Sequence, residues 1–339
     1  MRRIGFWCIS LILIATSLTA HADMRFVRRA DVQKFINTMV RQYGLNRQYV
    51  TRMMNQVQLQ PKIIESMDRP FEKKNWDTYK NLFLTEKRLR DGLKFWHDNQ
   101  ATLMRAEKKY GVPSHVIVAI IGVETQYGQN TGNYRVLDAL STLAFNYPKR
   151  SEFFTKELRE YFLLCRELKT SPTSIRGSYA GAIGLPQFMP SSYRYYAVDF
   201  SGDGRRDLVN NRDDVIGSIA NYFYKHGWKA SHGIAQPAKI NGKAFKKLDL
   251  NPRSAKYRTK VLAHYGVTPI TASLNQPYQA GLLELITDKG NEYWLAYPNF
   301  FVITRYNSSP QYALAVYLLS QQLHSEWGHY AGSMQRAYA

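Results

Sequence analysis

The stretch Gly111-Val-Pro-Ser-His-Val-Ile-Val-Ala-Ile-Ile-Gly-Val-Glu-Thr-Gln-Tyr-Gly128 decides how the rest of the chain is read. Between Lys109 and Arg135 its only formally charged side chain is Glu124. Val116 to Ile121 and Val123 are apolar on every side, the pattern of a helix buried all round rather than an amphipathic surface helix. Pro113 or Ser114 suits the first turn, and Gly128 is placed to end the helix.

Glu124 therefore falls in the last turn of a buried helix. Loss of solvent and the negative end of the helix dipole both disfavour its ionised form and raise its pKa. A carboxyl kept protonated near neutral pH is what general-acid catalysis of glycosidic cleavage requires. The structural alternative is a glutamate neutralised by an Arg or Lys elsewhere in the chain.

Working outward toward the start, Arg2 and Arg3 precede the apolar run Ile4–Leu18, which ends in Ala20-His21-Ala22. This is the pattern of a cleavable secretory signal, residues 1–22, with a mature chain from about Asp23. Export to the periplasm is expected. Cys8 lies too early in the apolar run to become a lipidated first residue, which speaks against a lipoprotein anchor. Cleavage leaves Cys165 as a lone thiol, so neither a disulfide nor a cysteine-built metal site is expected.

The formal net charge is +20 and the aromatic content 14%, with 24 Tyr, a composition that suits an anionic polymer. Nucleic acid is set aside because the signal takes the chain out of the cytoplasm and the basic residues are scattered. An envelope polymer with sugar rings for the aromatic side chains fits better.

Residues 23–108 carry helical spacing throughout, for example Val32, Phe35, Ile36, Met39 and Val40. Asp138 is the nearest downstream carboxylate to Glu124 and reads as an exposed helix charge. The stretch Ser178 to Tyr193 is Gly- and Pro-punctuated, with Ser178 and Gln187 as neutral hydrogen-bonding groups. From about Ala235 to Tyr297 the texture changes, and Leu282–Ile286 and Tyr293–Tyr297 flank a hairpin signal at Asp288-Lys-Gly-Asn291. Pro310 to His324 returns to helix.

Gly122-Val-Glu-Thr-Gln-Tyr-Gly128 followed by Gly181-Ala-Ile-Gly-Leu-Pro-Gln-Phe-Met-Pro-Ser-Ser-Tyr193 resembles the lytic murein transglycosylase B family, over essentially the whole mature chain. The resemblance implies a mainly α (α+β) fold with a lysozyme-like catalytic core. Its expected organisation is an N-terminal helical domain at 23–108, a core at 109–232, a small β-rich subdomain at 233–298 and a C-terminal helical segment at 299–339. It implies that Glu124 is the sole catalytic carboxylate and that Ser178 and Gln187 line the cleft. Arg305-Tyr-Asn-Ser-Ser-Pro-Gln-Tyr312 resembles a further family motif, which adds Tyr306, Asn307 and Tyr312, and Tyr79 matches a sugar-contacting tyrosine.

The expected reaction breaks the β-1,4 bond between N-acetylmuramic acid and N-acetylglucosamine without water and leaves 1,6-anhydromuramoyl ends. The rivals are a hydrolytic muramidase using the same acid and a non-catalytic peptidoglycan-binding or scaffold protein. Peptidoglycan glycan strands are the expected partner, cell-wall synthesis proteins are further candidates, and a monomer is expected. No cofactor is needed for the chemistry.

Asp199, Ser201, Asp203 and the Arg205 carbonyl stand at positions 1, 3, 5 and 7 of an EF-hand-like loop at 199–213, with Gly204 at the turn. The usual closing Glu is replaced by Asn210, and Asp213 matches the place where the family's longer loop is closed. A structural Ca2+ is the expected ligand, and a hydrogen-bonded Asx-rich turn is the alternative.

Overall fold

A computed structural model describes residues 26–68, 74–271 and 279–337. The signal stretch 1–22 lies outside the described residues. The chain folds into two compact units, neither continuous in sequence. The first draws on residues 26–68, 132–183 and 188–194, and the second on 74–131, 184–187, 195–271 and 279–337. The expected blocks 23–108 and 109–232 thus each contribute to both units, whereas the β region and the helices after it lie in the second.

In the first unit the helix Ala30–Tyr43 buries Val32, Phe35, Ile36 and Met39, one stripe at helical spacing. It stops where Gly44 takes a left-handed conformation and returns its N–H to the last turn. The helices Val136–Asn146 and Ser151–Glu167 pack against each other. Strands β1 (Tyr134–Arg135) and β2 (Arg176–Gly177) pair antiparallel. Cys165 is buried, and burial pushes its thiol up to about 12, which leaves a packed, unreactive group.

Asp138 departs from its expected place on an exposed face. It is 3% exposed and receives Arg135 Nε at 2.6 Å and the Gln58 N–H at 2.9 Å. It is one half of a structural ion pair with Arg135.

In the second unit the helix Ser114–Thr125 is enclosed as its composition dictates, with Val116 to Ile121 fully buried. The helices Glu86–Asp98 and Pro310–Ala337 pack on it. The latter runs well beyond His324, and stacking of Trp327 on Trp96 with centroids 4.3 Å apart continues its packing.

The β region is a five-stranded antiparallel sheet of β3 (Ala235–Ile240), β4 (Tyr257–Arg258), β5 (Val267–Pro269), β6 (Gln279–Thr287) and β7 (Gly290–Ala296), in the order β4-β6-β7-β3-β5. The expected hairpin is β6–β7, in register from Gly281 opposite Ala296 to Thr287 opposite Gly290. Leu282, Leu295 and Tyr297 help form its core.

Candidate active site

The helix that carries Glu124 ends at Thr125, three residues before Gly128. Gln126 (φ 50°) and Tyr127 (φ 59°) both adopt the left-handed conformation, which costs non-glycine residues energy and needs support from packing. That support comes from the Tyr127 ring, which stacks on Phe95 and folds back over two glycines. A Cβ at Gly92 or Gly122 would come within 2.3 or 2.4 Å of the Tyr127 hydroxyl. Thr125 ties down the same turn: its hydroxyl meets the Leu185 carbonyl at 3.1 Å and receives the Gly128 N–H at 3.1 Å.

Glu124 is surrounded by protein atoms yet retains a partly open face. Burial pushes its pKa up to about 7, against a smaller opposing effect from a hydrogen bond donated by the Tyr312 hydroxyl to its Oε1. Among the described residues no Arg or Lys neutralises it, and no second carboxylate perturbs it. This removes the neutralised-glutamate alternative.

The segment Gly184–Gln187 forms a tight turn. Gly184 has φ +71°, and a Cβ there would lie 2.1 Å from the Leu208 carbonyl oxygen, so only glycine fits. Gln187 Nε2 donates to the carbonyls of Gly184 at 2.8 Å and Thr131 at 3.1 Å. With both amide hydrogens drawn to the main chain, Gln187 keeps its carbonyl oxygen as an acceptor for a hydroxyl.

The helix Pro298–Tyr306 and the loop after it bring up the tyrosines. The Tyr306 hydroxyl donates to the Pro186 carbonyl, and its ring lies edge-on to Tyr222 at 5.0 Å. Asn307 Oδ1 accepts the Ser309 N–H at 3.0 Å and shapes the turn that delivers Tyr312 to Glu124. Tyr79 is 2% exposed, packs on Phe83, and lies close enough to Tyr312 to help raise its phenol. Burial, then the neighbouring Glu124, push the Tyr306 and Tyr312 hydroxyls well above their usual range, so both stay neutral donors.

Glu124, Gln187, Tyr79, Tyr306, Asn307 and Tyr312 all belong to the second unit. Ser178 belongs to the first, where its hydroxyl accepts the N–H groups of Ala180 and Ala182 at 3.2 and 3.0 Å. The sequence reading gave neither Thr125 nor Tyr127 a role of its own. It also passed over Tyr222, which braces Arg305 through a 2.6 Å hydrogen bond to that residue's carbonyl.

In the acidic loop, Asp199 accepts N–H groups from Gly202 at 2.6 Å and Gly204 at 2.8 Å. Ser201 donates its hydroxyl to Asp199, and the Arg205 N–H reaches Asp203 at 2.8 Å. The closing residue differs from expectation. Asp213 is held by the Thr102 hydroxyl at 2.8 Å and by Arg105 at 3.3 Å. The fully buried Asp214 is the one that joins Asp199 and Asp203, with oxygens within 4.8 Å of one another. Asn211 caps the helix Arg212–Lys225 here, and consecutive residues in its first turn face different ways. Three converging carboxylates form a hard-oxygen donor set that suits a divalent cation such as calcium.

Residues 28–321 match the family model described as the transglycosylase SLT domain. The chain is 42% identical over 306 residues to the membrane-bound lytic murein transglycosylase B of Escherichia coli strain K12, covering 87% of this chain and 83% of that protein. Its fold is similar to the catenated lytic transglycosylase SltB1 from Pseudomonas aeruginosa, with a TM-score of 0.82, 43% identity and coverage of 88% of this chain and 98% of that one. It is also similar to Escherichia coli Slt35 in complex with calcium, with a TM-score of 0.80, 42% identity and coverage of 89% and 95%.

Proposed function

The chain belongs to the transglycosylase SLT family and is a lytic murein transglycosylase with a lysozyme-like fold, and from that premise we propose that Glu124 alone carries both proton transfers. The observation that carries this reading is a single carboxyl, isolated from other charges, with a pKa of about 7 and one neutral partner, Tyr312. Near pH 7 both of its protonation states are populated, as a group that must act first as acid and then as base requires.

In the first step Glu124 gives its proton to the oxygen between N-acetylmuramic acid and N-acetylglucosamine as the C1–O bond breaks. The carboxylate that results is stabilised by the Tyr312 hydroxyl. In the second step it removes the proton from the muramoyl C6 hydroxyl, whose oxygen closes on C1 and forms the 1,6-anhydro ring. Glycosidases commonly divide this work between two carboxylates. Here the substrate supplies its own nucleophile, so one suffices. Gln187 offers its carbonyl oxygen to a sugar hydroxyl, and Tyr79, Tyr306 and Asn307 complete sugar contacts.

Asp199, Asp203 and Asp214, with Ser201 and the Arg205 carbonyl, would hold a structural Ca2+, a reading supported by the calcium complex of Slt35. The ion would brace the loop and take no part in bond cleavage. A periplasmic location fits the substrate and the positive charge. No helix among the described residues is long and apolar enough to cross a membrane.

The test is digestion of purified murein in heavy-oxygen water followed by mass spectrometry. Anhydro-terminated products without label are expected; labelled reducing ends would move the assignment to a hydrolase.

A further inference from the structure

The five-stranded sheet of the second unit has two faces, and they meet different neighbours. One face rests on the helices that carry Tyr306 and Tyr312. Trp294 lies edge-on to Tyr317 with ring centroids 6.5 Å apart, and a Cβ at Gly281 would come within 2.8 Å of the Phe301 ring. The other face, reached by the alternate residues Leu282 and Leu295, is covered by residues 241–266. This layer includes the 3-10 turn Ala244–Lys247 and the short helix Thr259–His264. Phe245, Leu248 and Leu262 turn inward from it and join the core of the sheet. Its outward side therefore lies across the sheet from the active-site tyrosines.

That outward side is strongly basic. Lys243, Lys246, Lys247, Arg253, Arg258 and Lys260 are all exposed, and among the described residues none of them forms an ion pair. The single carboxylate of the layer, Asp249, is taken up by Lys256 at 2.9 Å. Cations without acidic partners, gathered on one layer, sustain a positive potential over it.

The rest of the layer says what kind of anion fits. The cations leave separate stretches of chain and most are lysines, flexible point charges suited to an array of headgroups rather than to a bidentate grip on one ligand. Phe245, Tyr257 and Tyr265 pack on the core, and Lys256 caps the Tyr257 ring at 5.7 Å, which leaves little stacking surface for a sugar. Val261, on the helix beside Lys260, is 39% exposed, and Ile270, at the end of β5, is 63% exposed. The helix and β5 pack against each other, so aliphatic side chains accompany the cations. Long-stemmed cations with exposed aliphatic neighbours are the chemistry of a contact with a lipid surface.

We infer that residues 241–266 form a docking surface for an anionic phospholipid bilayer, which seats the enzyme on a membrane with its catalytic helices on the other side of the sheet. The inference does not depend on the role given to Glu124.

The test is co-sedimentation of the full mature chain with vesicles of phosphatidylcholine alone and of phosphatidylcholine with about 30% phosphatidylglycerol. Wild type is expected to bind the anionic vesicles and not the neutral ones, and high salt should release it. Changing Lys243, Lys246, Lys247 and Lys260 together to Gln should weaken binding at least about a hundredfold, at about fivefold for each cation removed. The same charge removed elsewhere, by changing the exposed Lys34, Arg41, Arg52 and Lys62 to Gln, should leave binding near the wild-type level. Both variants alter only exposed side chains and should unfold at the wild-type Tm. Equal losses in the two variants, equal binding to neutral vesicles, or no binding to anionic vesicles would overturn the inference. Binding to murein that is lost with the same four lysines, without binding to vesicles, would also overturn it and assign the layer to the glycan polymer.

Discussion

Glu124 and Asp199 carry the same functional group, and the protein treats them in opposite ways. Around Glu124 there is burial and a single hydrogen bond, from Tyr312, so the carboxyl is driven up to about 7. At Asp199 desolvation also works against the charge, but N–H donation from Gly202 and Gly204 and the Ser201 hydroxyl outweighs it and holds the carboxyl below its usual range. The difference is in the supply of donors. A loop of successive N–H groups makes a permanent anion fit to hold a cation, whereas the last turn of an apolar helix makes an acid able to give up a proton.

Removing the acid should have the largest effect. Glu124→Gln is expected to lower murein turnover by at least about 10³-fold, the size of a lost general acid–base, with substrate binding retained in a sedimentation assay. On the other side of the comparison, Asp214→Asn should cost about 2 to 3 kcal/mol, because three main-chain N–H groups lose a charged acceptor. Calorimetry should also show that added Ca2+ raises the Tm of wild type and leaves that of the variant unchanged.

A third prediction follows from linkage. Glu124 has a folded pKa of about 7 against 4.5 for the free group, so its contribution is fully present below 4.5 and lost as pH rises through 7. Glu124→Gln should therefore be more stable than wild type by about 1 to 3 kcal/mol above pH 7, a figure reduced for the open face of the carboxyl, with the gap closing toward pH 4.5. Urea unfolding at several pH values measures this.

The smallest change sharpens the contrast most. Tyr312→Phe removes the donor that lowers the Glu124 pKa, so the alkaline limb of the pH–rate profile should move upward. Turnover should fall by about threefold to tenfold, in keeping with one hydrogen bond.

Much of this was readable in the chain. An unbroken apolar run with one carboxylate dictates a buried helix and a perturbed acid, because both follow from local composition. The β6–β7 hairpin was readable for the same reason. Tyr306, Asn307 and Tyr312 came from family resemblance, since their spacing alone carries no chemistry. What depended on tertiary neighbours was lost. Asp138 looked exposed because its burial rests on Arg135 and on the Gln58 backbone, which lies far away in sequence. The choice between Asp213 and Asp214 turned on where Asn211 starts a helix, and a one-residue step there reverses which carboxylate meets the loop. The interleaving of the two units left no mark on composition, since both are helical and both cross the same stretches of chain.

The most direct test of the contrast is a carbon-13 NMR titration of the glutamate side-chain carboxyls in the wild-type protein, with Glu124→Gln to assign the resonance. One carboxyl titrating near pH 7 and missing from the variant is the expected result. If the resonance that disappears in Glu124→Gln titrates in the ordinary glutamate range, burial at the end of the apolar helix does not make the acid, and the mechanism built on it fails.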